Sequence, residues 1–186
     1  QVGWKVTGKP LQPKFDKFNP INGFKRIFSK DSIFELLKSI LKLFVIDILH
    51  ISGTSMEPTL KNGSKVAVNK LAYGLAKPFR GDFFFQWNRP KLNDIVIYLH
   101  DNKIVIKRVI GISGDQLEFS ENSGYTVKIN QKEISLTPVQ FQRMKNFEKI
   151  PEDFVFTLGD NQKDSIDSRD YGFVSVKNIM GKIIGK

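Results

Sequence analysis

The spacing of hydrophobic positions along this chain changes near residue 51. Upstream, residues 33–51 are strongly apolar but broken by Glu35, Lys38, Lys42 and Asp47. Glu35, Lys38 and Lys42 recur at intervals of three and four, so they share one stripe of a helix, with Leu36, Leu37, Ile40 and Phe44 around the rest. The pattern predicts an apolar, amphipathic helix over 33–51. Its uninterrupted apolar run, Leu43 to Ile46, is far below the ~20 residues that a membrane span requires. The helix is expected to lie at a membrane interface or act as a shortened anchor, or else to cover the domain's own core.

Downstream the period drops to two. Short runs at 66–68, 94–99, 103–110, 116–119, 125–129, 133–136, 154–158, 173–176 and 179–184 read as strands. Turn signals separate them, among them Asn62-Gly63, Asn93-Asp94, Ser113-Gly114-Asp115, Ser123-Gly124 and Gly159-Asp160-Asn161. No helix-period segment is expected between them, and the predicted fold is mainly β with antiparallel sheets. Residues 1–50 form a basic arm and membrane-proximal helix, 51–186 a catalytic β domain, and 116–153 a small β elaboration within it. Residues 70–93 read as a loop-rich insertion around Phe83-Phe84-Phe85-Gln86-Trp87, either satellite core or an interfacial anchor, with Arg80-Gly81-Asp82 as a turn. Residues 137–150 show no clear period and receive no function.

Charge sharpens the membrane reading. The net charge is +10 over 186 residues, and residues 1–30 hold Lys5, Lys9, Lys14, Lys17, Lys25, Arg26 and Lys30 against Asp16 alone. A basic arm suits nucleic acid or an anionic lipid surface; the apolar segment after it favours lipid, and no nucleic-acid partner is expected. Cysteine is absent, which excludes disulfides, thiolate metal sites and a cysteine nucleophile. No stretch reads as a cleavable signal peptide.

The candidate chemistry is a serine and a lysine. Ser55 lies in Gly53-Thr54-Ser55-Met56-Glu57-Pro58-Thr59-Leu60 and Lys107 in a predicted strand. A serine hydroxyl needs a neighbouring base, and lysine serves once its ammonium is made to lose its proton. Along the strand, Val105, Lys107 and Val109 share one face. Apolar company of that kind disfavours the charged form of Lys107. A third segment, Gly159 through Val174, is dense in hydrogen-bonding side chains.

Together these motifs resemble the type I signal peptidases, membrane-tethered Ser/Lys proteases that cleave signal peptides from exported preproteins. The likeness runs from about Ile51 to Gly181. Gly53-x-Ser55-Met56-x-Pro58-Thr59-Leu60 is similar to the family's serine box, and Asp94 to Tyr98 to a second box. Lys107-Arg108-Val109-Ile110-Gly111-x-x-Gly114-Asp115 is similar to its lysine box. Gly159-Asp160-Asn161 through Ser165-x-Asp167-Ser168-Arg169 is similar to its last box.

The resemblance implies antiparallel sheets of the signal-peptidase type, Ser55 as nucleophile, Lys107 as general base and Ser165 as the hydroxyl that orients the lysine. It implies an acyl-enzyme, a strand-like substrate and an oxyanion held by the Ser55 N–H plus a second donor. Some members supply that donor from a serine two positions before the nucleophile. Gly53 stands there, leaving a backbone amide or the Ser52 or Thr54 hydroxyl. Met56, Leu60, Val105 and Ile106 are expected to line small apolar pockets. Asp160, Asp167 and Arg169, with Arg108, are expected to form structural ion pairs. No metal or cofactor is implied. The partners implied are preprotein signal peptides and the lipid surface. The setting is a bacterial-type plasma membrane with the catalytic part on its outer side.

Rival readings fit less well. A Ser-His-Asp triad has only His50 and His100 to draw on, and His50 falls in the predicted helix. Asp160, Asp164, Asp167 and Asp170 do not follow the calcium-loop order. A self-cleaving repressor would share the serine and lysine but needs a helix-turn-helix that residues 1–50 do not offer. A catalytically inactive membrane-surface binding module requires that Ser55 and Lys107 never meet.

Overall fold

The computed structural model describes residues 29–76, 83–122 and 124–185; nothing is said of the side chains of 41–44, Ala76 and Phe83. Most of the basic arm and the Arg80-Gly81-Asp82 turn lie outside the described residues. Two compact units divide the chain, Gln1–Ile40 and Leu41–Lys186.

Helix α1, Lys30–Phe44, begins in the first unit. Ser29 Oγ accepts from the Ser32 N–H at 3.2 Å, which satisfies one orphan donor of the first turn. Glu35 and Lys38 pair at 2.8 Å, and Lys38 Nζ stands 5.0 Å from the Phe34 ring centroid. Ile33, Phe34, Leu36, Leu37 and Ile40 are exposed.

The helix is shorter than the sequence pattern predicts, because residues 46–50 are a strand. Strand β1, Ile46–His50, pairs antiparallel with β2, Lys65–Asn69, at all five positions. The β-branched Ile46 and Ile48 alternate with half-buried residues, and Asp47 reaches Lys70 at 2.9 Å. Period-two burial and a sheet partner override the apolar run that read as helix.

A seven-stranded antiparallel sheet, in the order β1-β2-β12-β5-β6-β10-β11, organises the second unit. Its further members are β5, Ile95–His100, β6, Lys103–Ile112, β10, Phe154–Leu158, β11, Val174–Ser175, and β12, Ile179–Gly185. Strands β7, Leu117–Ser120, β8, Thr126–Ile129, and β9, Lys132–Ser135, form a separate meander. Part of the predicted loop-rich insertion is a hairpin, β3, Gly74–Ala76, with β4, Phe83–Gln86.

Among the described residues, two short α-helices break the expected all-strand pattern. Helix α2, Pro138–Met144, falls in the segment without a clear period, yet its start signals are strong: Thr137 and Gln140 form a capping box and Pro138 opens the helix. It buries Phe141 and Met144 against the meander core of Leu117, Val127, Ile129 and Ile134. Helix α3, Ser168–Tyr171, is a single turn capped by Asp167 and Asp170. A further core of Ile51, Met56, Leu60 and Val66, with Ile95 and Ile106 against it, lies beneath the Ser55 loop.

Candidate active site

The end of β1 and the middle of β6 bring Ser55 and Lys107 together. From Ile51 the chain leaves the sheet; the Ile51 N–H donates to Ser64 O at 2.8 Å and the Gly63 N–H to Ile51 O at 2.9 Å. The turns that follow carry Ser55, and buried Met56 and Leu60 fix them to the core below. Lys107 Nζ donates to Ser55 Oγ at 2.9 Å across fifty-two residues of sequence. Only 4% of Lys107 is exposed. Burial lowers its pKa; the Asp167 carboxylate opposes that shift and the Arg169 guanidinium reinforces it.

The Gly159-Asp160-Asn161 segment clamps the serine loop from above. The Asn161 N–H donates to Ser55 O at 3.0 Å, and its side-chain amide donates to Thr54 O at 3.3 Å and to Asp164 Oδ2 at 3.1 Å. Glycine at 159 is required by close approach. An added Cβ would lie 2.6 Å from Ser55 O and 2.5 Å from Ser165 Cβ, and against Ser165 Oγ. Asp160 makes a two-pronged pair with Arg108, Nε at 2.8 Å and a terminal nitrogen at 2.7 Å. Burial alone would raise the pKa of Asp160, but this guanidinium outweighs it and holds the carboxyl below the usual range.

Asp167 is fully buried at 0% exposure. It accepts the Ser165 hydroxyl at 2.7 Å, the Gly159 N–H at 3.1 Å, and Nε and a terminal nitrogen of Arg169 at 2.9 and 3.0 Å. Ser165 thus spends its proton on Asp167, while the Lys107 amine donates to Ser55 rather than to Ser165. Arg169 also donates to the carbonyls of Gln162 at 2.8 Å and Ser165 at 3.2 Å. Behind this loop, Thr157 links the hydroxyls of Tyr98 and Ser168, and Tyr98 meets the Tyr171 hydroxyl at 2.5 Å.

A cleft of about 680 Å³ runs past Ser55 and Lys107. Met56, Val105 and Ile106 line it, while Leu60, 1% exposed, packs in the core beneath instead. Sequence reasoning missed Leu49, Ile51, Ile104, Ile166 and Tyr171, which also line the cleft. His50, expected on a helix, ends β1 and faces the cleft. A search for edge strands flanking the serine box would have found several of these. Gly53 has φ +109°, a conformation side chains rarely adopt, and its N–H donates to Asn62 Oδ1 at 3.1 Å. A serine there would be strained, which leaves Ser52, itself a lining residue, and Thr54 as nearby hydroxyls.

Comparison with known proteins places the chain in a family. The sequence model described as signal peptidase, peptidase S26 matches residues 32–185. Signal peptidase I of Bacillus caldolyticus is 30% identical over 156 residues, 77% of this chain and 80% of that protein. Signal peptidase IB of Staphylococcus aureus is 29% identical over 157 residues, 75% of this chain and 76% of that protein. The thylakoidal processing peptidase 1 of Arabidopsis thaliana is 32% identical over 136 residues, 72% of this chain and 39% of that protein. The crystal structure of a signal peptidase I from Enterococcus faecalis aligns with 52% of this chain and 98% of its own, at 25% identity and a TM-score of 0.38. From the matched span and these identities, the chain belongs to the signal peptidase family, peptidase S26, and is a peptidase.

Proposed function

We propose that this chain is a serine endopeptidase that removes signal peptides from exported preproteins with a Ser55/Lys107 dyad. The observation that carries this is the 2.9 Å contact between Ser55 Oγ and the buried Lys107 Nζ. Uncharged Lys107 takes the Ser55 proton as the hydroxyl attacks the scissile carbonyl, and returns it to the leaving amine. A water activated by the same lysine then hydrolyses the acyl-enzyme. The Ser55 N–H has no acceptor among the described residues and is free to hold the oxyanion, with a backbone amide or the Ser52 or Thr54 hydroxyl as second donor.

The substrate is read as an added strand. On one side β6 pairs with β5 from Lys103 to Arg108, but on the other it pairs with β10 only from Arg108 to Ile112. The second edge of residues 103–107 is therefore open along the cleft, and an extended peptide can hydrogen-bond to it. Met56, Val105 and Ile106 make the lining beside the dyad apolar, which suits small side chains next to the cut.

Membrane attachment has two supports. Among the described residues no helix is long and apolar enough to cross a membrane, but α1 exposes Ile33, Phe34, Leu36, Leu37 and Ile40. Phe84, Phe85 and Trp87 are exposed on and beside β4. Both sets fit an interfacial lipid surface, with the catalytic unit working on the outer side of a bacterial-type plasma membrane.

Incubation with a preprotein in detergent tests the dyad. Wild-type chain is expected to release the mature protein, and Ser55→Ala and Lys107→Met to leave it intact. Undiminished cleavage by both folded variants would reject the assignment.

A further inference from the structure

The electrostatics around Lys107 hold a constraint that the dyad alone does not explain. A general base must be uncharged in the resting enzyme, yet a fully buried carboxylate, Asp167, from the segment before helix α3, acts on Lys107 and favours its charged form. An isolated Asp167 beside Lys107 would make a protonated lysine the balanced state of the site, because a buried pair of opposite charges is far cheaper than a single buried charge. Arg169 changes that balance. It grips Asp167 through Nε and a terminal nitrogen at 2.9 and 3.0 Å, and is itself 8% exposed.

We propose that Arg169 is a positioning residue which, by cancelling the charge of Asp167, makes the uncharged form of Lys107 the balanced state of the buried site. With Lys107 neutral, Asp167 and Arg169 sum to zero; with Lys107 protonated, one positive charge is buried without a partner. The two residues also divide a second task. Asp167 takes the Ser165 proton while Arg169 holds the Ser165 carbonyl at 3.2 Å, so Ser165 presents lone pairs, which can steady a lysine N–H but cannot donate to the amine.

Other charged and titratable groups around the cleft are His50, His100, Asp101, Lys103, Asp164 and Tyr171. Asp164 and Lys103 are exposed, so water screens their effect on Lys107. Asp164 is also engaged by Asn161 at 3.1 Å, and His100 pairs with Asp101 at 3.5 Å. Tyr171 is pushed up to about 12, chiefly by burial, and stays neutral.

This inference rests on the Ser55/Lys107 reading, and its test separates the two. The pH profile of kcat/KM for preprotein cleavage is measured for the full chain and for Arg169→Met, Arg169→Lys, Asp167→Asn and Asp167→Asn/Arg169→Met, with thermal melting to establish folding. Arg169→Met is expected to move the acid limb to higher pH, with a loss of about tenfold or more near neutrality that recovers as pH rises. Asp167→Asn is expected to move it the opposite way, and the double variant and Arg169→Lys to return it towards the parent. Equal losses at every pH in the Arg169 and Asp167 variants would show bracing of the loop only and overturn the proposal. If Arg169→Met does not fold, Asp167→Asn decides alone, and a limb that is unmoved or raised rejects the idea. Full cleavage by folded Lys107→Met would reject the dyad itself.

Discussion

Replacing Gly159 with alanine should damage the site although residue 159 has no chemistry of its own. The new methyl would stand 2.6 Å from the Ser55 carbonyl oxygen, 2.5 Å from Ser165 Cβ and against Ser165 Oγ. Ordinary contacts between such atoms begin near 3.4 Å, so something must yield by nearly 1 Å. Ser165 is buried and tied to Asp167 at 2.7 Å, and the Ser55 carbonyl accepts from Asn161 at 3.0 Å. Neither neighbour is the free end of a long side chain. Overpacking of this kind costs about 1–3 kcal/mol, or roughly 2–12 °C in Tm for a domain of this size.

The larger effect should fall on catalysis. Yielding by the Ser55 backbone carries Oγ away from Lys107, and a misplacement of about 1 Å can cost on the order of a hundredfold in rate. Because the atoms nearest the new methyl belong to Ser55 and Ser165 rather than to residues 103–107 of β6, KM should change much less than kcat. Steady-state cleavage of a preprotein, with melting curves on the same samples, measures both. Adding Ser165→Ala should not rescue activity, since the contact with Ser55 O persists. Parent-like kcat and Tm in Gly159→Ala would refute the claim that close approach at this position sets the geometry of the nucleophile.

Lys107→Met should abolish cleavage yet raise Tm. Burial depresses the folded pKa of Lys107, so the folded state releases a proton that the unfolded chain still holds. The parent therefore gains stability as pH rises between the folded pKa and the unfolded value of about 10.4. The advantage of Met should accordingly be largest at low pH and shrink towards pH 10 in a series of melts. Asp94→Asn should destabilise the sheet by about 1–3 kcal/mol at pH 7. Burial by itself raises the Asp94 pKa, but Lys182 at 2.6 Å, the Lys91 N–H and the Tyr73 hydroxyl outweigh it and hold it low. That contribution is present above the unfolded value of about 3.9 and is lost as pH falls through the folded pKa, so urea titrations of parent and variant should converge in acid. Phe84→Ser/Phe85→Ser should lower partition onto anionic vesicles by about tenfold, measured by flotation; equal partition would remove β4 from the lipid contact.

The β character of residues after Ile51 was legible because turns and alternation agree there, and the helix was legible from Ile33 onward from its charged stripe, one turn short of its start at Lys30. Its end was not. Val45 to Leu49 is apolar enough to extend a helix, and only pairing with Lys65–Asn69 makes it a strand. Helix α2 was hidden because seven residues give too few turns to display a period, though Thr137, Pro138 and Gln140 marked its start. At the site, the serine and lysine boxes named the residues that meet. The remaining cleft walls escaped because Leu49, Ile104 and Tyr171 come from three separate elements whose nearness depends on register.

Register also explains why the buried Lys107 lies where the sheet changes partners. Strand β10 pairs with β6 through Leu158 opposite Arg108, after a shift between Phe156 and Thr157. One step further, Gly159 comes level with Lys107, and there the chain leaves the ladder to meet the Ser55 loop. The same departure does two things. It delivers Asp160 to Arg108 and Asn161 to Ser55 O, fixing Ser55 over Lys107. Among the described residues it also leaves 103–107 of β6 without a paired strand on that side, so the unpaired edge begins where the clamp on the serine ends. Had the pairing of β10 and β6 continued for five more residues, through Lys103, a peptide would have no strand edge to join.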